Sequence, residues 1–262
     1  MPDVLSKLEF LANDELYKTQ RPYIFTPGQH LEEKMDVRPS TLNTIKLEHQ
    51  NVTICDIRGE KCHDFNLENA GFEVVKNAST CNDFQSLIDS NKMRENARAE
   101  TEMFLKRRFN AEDVVCYGFK LRHNGQWDPN ELVDLQTYGW LEPPARGVHD
   151  FTFEHAPTLI TNKLKEAGKE SYLVPGYRYR AINTWRPLIP RLEDNPLAVC
   201  DFRSVDPNDL IVSDRVLPNE YWTMYFFKHN PGQRWHYLSE QTPDELMLML
   251  MYDTKAGGAR CK

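Results

Sequence analysis

Four side chains in this sequence could share or move a proton with a bound molecule: His149, Asn183, Tyr225 and His236. The imidazoles can serve as acid or base near neutral pH. The amide and the phenol can donate to an oxygen that gains negative charge during a reaction. His149 stands in the strand-like stretch Val148-His149-Asp150-Phe151-Thr152, where neighbouring side chains project to opposite faces. Asp150 therefore leaves on the face away from His149, and Phe151 takes the position two residues on. Asn183 and Trp185 alternate along one strand and share a face, with Arg186 on the other. An arginine between Trp and Pro serves as a substrate contact or as an anchor to a carboxylate such as Asp201. The aromatic segments Tyr221 to Phe227 and Arg234-Trp235-His236-Tyr237 can line a cavity or fill a core. On the cavity reading, Asp150, Phe151, Trp185, Arg186, Trp235 and Tyr237 are substrate contacts. Glu154 and His155 lead into a helix and belong to the surface.

The elements that must carry these residues are short strands. Val52 to Ile57 and Phe72 to Val75 alternate as strands do, and 114–121 reads as a buried one. Further strand-like segments lie at 148–153, 177–186, 197–203, 209–213, 221–228 and 246–252. Turn signals such as Asp194-Asn-Pro, Asp206-Pro-Asn and Asn230-Pro-Gly lie between the later ones. The spacing of Phe84, Leu87, Ile88, Phe104 and Leu105 predicts a helix over 83–109, and Ala156 to Ala167 a second, stopped by Gly168. Residues 1–50 are polar and broken by prolines. They read as an arm with one helical piece near 3–12, wrapping a single domain at 51–262. Many short strands with few helices predict a mainly β chain with flanking helices (α+β), built on a double-stranded β-helix or jelly-roll core of the cupin-like kind.

Composition narrows the function further. The 262 residues carry a net charge of −7 with 27 % charged and 40 % hydrophobic residues, ordinary values for a globular enzyme. An acidic chain without a basic stripe is a poor nucleic-acid binder. No run reaches membrane-spanning length, and the N-terminus lacks the marks of a signal peptide. The six cysteines form no C-x-x-C pair and read as free thiols, so the expected location is the cytoplasm. There is no nucleophile elbow, phosphate-binding loop, dinucleotide fingerprint or His-Glu-x-x-His. The oligomeric state is left open.

Several segments taken together resemble a family. Val52-Thr-Ile-Cys-Asp-Ile-Arg-Gly, Ala70-Gly-Phe-Glu-Val-Val, Val148-His149, Asn183-Thr-Trp-Arg-Pro-Leu and Pro196-Leu-Ala-Val-Cys-Asp-Phe-Arg-Ser-Val-Asp resemble, in order, the fungal AsaB-type hydroxylase/desaturase family. That family is related to cephamycin methoxylase proteins. The resemblance implies a jelly roll, a small natural-product substrate and, in its standard form, Fe(II) with 2-oxoglutarate. Such iron sites take a His-x-Asp pair plus a distant His. Here His149 and Asp150 are adjacent, and a bulge would be needed to turn both to one metal. The family's third ligand follows a segment matched by Tyr252-Asp253-Thr254, after which this sequence holds no histidine and only Arg260 as a stand-in for the cosubstrate clamp. The expectation is therefore an enzyme with no metal and no cofactor that catalyses a redox-neutral dehydration, isomerisation or ring closure, including one of Diels–Alder type. Proximity in an aromatic cavity would supply the rate. An Fe(II)/2-oxoglutarate hydroxylase or desaturase using His149 and Asp150 is the alternative, and a non-catalytic binding protein the second.

Overall fold

A computed structural model describes residues 3–25, 44–59, 64–123, 141–142, 147–216 and 221–256. The chain opens on β1 (Val4–Leu11), β2 (Tyr23–Phe25), β3 (Leu47–Asp56) and β4 (Phe72–Lys76), then passes through α1 (Phe84–Asp89) and α2 (Asn91–Phe109). After β5 (Leu121–Arg122), β6 (Leu141–Glu142) and β7 (His149–Phe151) comes α3 (Ala156–Glu166). The remainder is β8 (Arg180–Trp185), β9 (Val199–Cys200), β10 (Leu210–Val216), β11 (Tyr221–Phe227), β12 (Trp235–Tyr237) and β13 (Glu245–Asp253). Among the described residues the main sheets have the orders β1-β3-β12-β9, β2-β10-β11-β7 and β4-β13-β8. Short strands in facing sheets with helices outside are the mainly β, jelly-roll arrangement that the sequence predicts. No helix among the described residues is long and apolar enough to cross a membrane.

Alternation along the strands divides the core. Phe10, Val52, Ile54, Cys200, Trp235 and Tyr237 turn one face of the first sheet onto Phe227 of the second. The opposite face of that sheet presents Val199 to Phe72 and Met247 of the third. β13 is buried on both faces, which is why Leu246 to Tyr252 reads as an unbroken apolar run. Its Leu246, Leu248 and Leu250 pack with Leu105 of α2, while Met247 faces inward. The expected packing of the 83–109 region on the outside of the sheet is thus observed.

Several local expectations are corrected. Residues 4–11 form a strand, not a helix, paired antiparallel with β3 from Val4↔Ile54 to Leu11↔Leu47. A long-range ladder overrides local helix spacing there. The helix over 83–109 is two helices, because the Ser90 side chain accepts from Met93 N at 3.3 Å and caps a new start. Among the described residues the expected strand 114–121 is paired only at its end. The Cys116 amide is satisfied by Glu102 Oε1 at 2.6 Å rather than by a neighbouring strand. The 197–203 strand shrinks to Val199–Cys200, since Asp201 turns the chain by accepting from Arg203 N. The loop expected over 122–135 falls mostly outside the described residues, as does Arg260.

Candidate active site

β7 pairs with β11 in an unshifted register, Phe226↔His149, Tyr225↔Asp150 and Met224↔Phe151. No bulge interrupts it, so His149 and Asp150 leave on opposite faces. His149 shares its side with Phe226, at 5.7 Å between ring centroids, and its Nδ1 donates to Gly147 O at 2.8 Å. Gly147 brings the chain into β7 at φ +72°, where a Cβ would stand 2.9 Å from both Leu47 Cδ2 and Phe226 Cε1. Only glycine gives that close approach and that left-handed backbone without strain.

Asp150 lies on the other side beside Tyr225 and is 3 % exposed. Its charge reaches Tyr117, whose hydroxyl donates to Asn183 Oδ1. Burial first, and the Asp150 carboxylate second, push the Tyr117 phenol well above its ordinary range. Tyr117 therefore keeps its proton as a donor, and Asn183 keeps its amide hydrogens for a further partner. This Asp150–Tyr117–Asn183 group is the strongest concentration of chemistry in the described residues. Tyr117 was not among the sequence candidates. The signal was its place in the apolar run 114–121, which periodicity assigns to core.

The bulge between Leu250 and Tyr252 sets Met251 and Tyr252 against Tyr117, Phe153 and Ala181. Met249, between Phe72 and Asn183 in the ladder, packs against this cluster and also against the one holding Phe72 and Trp185. His236 belongs to that second side, with its ring 4.7 Å from Phe65 and 5.7 Å from Phe72. Burial lowers its pKa, so the ring is neutral.

The other candidates separate. Trp235 and Tyr237 flank His236 in sequence but point to the opposite face, inside the core with Phe10 and Phe227, where Tyr225 also packs. Alternation along β12 sends them away from His236. Arg186 does not pair with Asp201. Its Nη1 donates to Asn77 O at 3.1 Å and Pro243 O at 3.2 Å, fastening the end of β8. Asp201 instead holds Arg203 and Arg234, which outweigh burial and bring its pKa down to about 2. The Phe151 side chain lies outside the described part.

An iron site of the kind the resemblance implies needs converging donors. Among the described residues no three His, Cys, Asp or Glu side chains are placed to hold a metal ion. His149 and Asp150 diverge on an unbulged strand, so as folded they do not fit the group.

Known proteins resemble the chain in sequence and in fold. Residues 9–262 match the family described as "Oxidoreductase/YMDC permease-like domain". The chain is 28 % identical over 265 residues to the hydroxylase/desaturase efuI of Hormonema carpetanum, covering 91 % of this chain and 86 % of that protein. It is 38 % identical over 123 residues to the hydroxylase/desaturase asaB of Aspergillus flavus, covering 42 % of this chain and 52 % of that one. A solved structure of the iron and alpha-ketoglutarate-dependent endoperoxidase NvfI superposes with a TM-score of 0.76 at 23 % identity, over 97 % of this chain and 86 % of that chain. The fold is thus that of an oxygenase-like jelly roll. The chain belongs to the oxidoreductase/YMDC permease-like family, and proteins named hydroxylase/desaturase, AsaB among them, are its relatives.

Proposed function

We propose that the chain is a tailoring enzyme that hydroxylates or desaturates a small natural-product intermediate, with dioxygen as the oxidant and 2-oxoglutarate as the second electron donor. The observation that carries this reading is the likeness to efuI across 91 % of the chain. The oxygenase-like fold agrees with it. Because His149 and Asp150 diverge, no step is assigned to a metal, and the roles argued are those of the protein's own groups. Asn183, oriented by the Tyr117 hydroxyl, donates its amide hydrogens to a polar group of the substrate, and Asp150 accepts a proton from it. Such positioned donors and bases contribute roughly a hundred- to ten-thousandfold in rate.

A second reading rests on a specific observation, the unbulged pairing of β7 with β11. It gives a metal-independent, redox-neutral dehydration or ring closure in the same interior, driven by confinement and hydrogen bonding. One experiment separates the two. The full chain is incubated with extracts of a host making biosynthetic intermediates, with Fe(II), 2-oxoglutarate and oxygen, and in parallel with EDTA. Products heavier by one oxygen or lighter by two hydrogens, with succinate formed in step and loss in EDTA, support oxidation. Products of unchanged mass, or lighter by water, that persist in EDTA support the second reading and reject the first.

A further inference from the structure

We propose that His236 reads the substrate: it pairs with a hydroxyl group carried on a flat, unsaturated ring of the bound natural product. This rests on the reading of the interior as a small-molecule site. His236 is 7 % exposed, and neither Nδ1 nor Nε2 has a hydrogen-bond partner among the described residues. Buried polar atoms are almost always paired. Two open nitrogens on one ring point to a partner that the described residues do not supply.

The surroundings define that partner. Phe65 and Phe72 stack on each other at 5.1 Å and both lie against the imidazole. A carboxylate or ammonium group brought there would be a charge between phenyl rings. A carbonyl would satisfy only the N–H. A hydroxyl answers either nitrogen, donating to the bare one or accepting from the protonated one. The ring bearing it then packs on Phe65 or Phe72 in an offset or edge arrangement.

The site also has partly exposed walls and a length. Phe65, Val74, Trp185, Leu197 and Met249 around this cluster are only partly buried. Phe72 and Asn183 flank Met249 on its two neighbouring strands, about 10 Å apart at ordinary strand spacing. A fused-ring molecule spans that distance, with one end at His236 and the other at Tyr117 and Asn183.

The test is a binding measurement, independent of turnover. Phenol, and anisole as the same ring without a donor, are titrated calorimetrically into the full chain and into His236→Phe and His236→Gln. The imidazole nitrogens are followed by NMR. The expectation is that phenol binds about tenfold more weakly to His236→Phe, that His236→Gln keeps most of the affinity, and that anisole does not distinguish wild type from His236→Phe. Phenol, and not anisole, should shift the His236 nitrogen signals. Equal phenol affinity in wild type and His236→Phe, or no phenol binding to wild type, overturns the proposal. Absence of turnover in the assay above leaves this measurement intact, so the two failures are distinguishable.

Discussion

A carboxylate beside a phenol that cannot ionise is a division of labour between two oxygens. Asp150 can only accept, and Tyr117 is held as a donor by burial and by the neighbouring charge. Removing the donor should therefore hurt chemistry more than folding. Tyr117→Phe is expected to lower turnover about ten- to a hundredfold, since the bond that orients the Asn183 amide is lost, while stability changes by about 1 kcal/mol. Parallel kinetics and thermal melts check this, and a fall in rate matched by gross unfolding would reject it. The sequence showed part of this site. His149, Asp150 and Asn183 stood out because imidazole, carboxylate and amide carry chemistry visibly. Tyr117 did not, because a tyrosine in an apolar run looks like packing until its partner 66 positions away is known.

Among elements, β7 shows how little local structure need carry a site. It is a strand of three residues, and its position is set at Gly147, where the chain turns in against Leu47 and Phe226. Gly147→Ala should destabilise the protein by about 1–3 kcal/mol, from the left-handed backbone and the crowded Cβ together. Chemical denaturation measures it, and a loss under about 0.5 kcal/mol would refute the account, that being ordinary for a surface change. Strands with strong alternation or long apolar runs, β3, β8, β10, β11 and β13, were legible in the sequence. β1 was not, since its ladder to β3 depends on residues some 43 positions on. Nor was β12, whose Trp-His-Tyr is too short to show a period and whose neighbours are both distant in sequence.

Across the whole molecule, buried carboxylates fasten the ends of neighbouring strands through arginine and lysine partners. Burial alone would raise their pKa values. For Glu245, bonds from Arg58, the Thr242 amide and Lys76 win, and its pKa falls to about 2. For Asp253, Arg178, the Lys255 amide and Arg180 do the same. Asp201 behaves likewise with its two arginines. A depressed folded-state pKa means stability that is complete above the unfolded value near 4 and lost as pH falls toward 2. Denaturation midpoints should hold from about pH 7 to 5 and then drop steeply. Asp253→Asn should make that acid limb shallower by up to one proton. An unchanged slope would show that Asp253 is not one of the groups involved.

The placement of His149 and Asp150 also has a meaning at the level of the gene. Because β7 pairs with β11 without a shift, one residue inserted between them would restore the His-x-Asp spacing. That is a change of three nucleotides, with no substitution elsewhere in the strand. Side-chain parity along this short edge behaves as a single heritable character. One in-frame insertion or deletion at this point would reverse that parity.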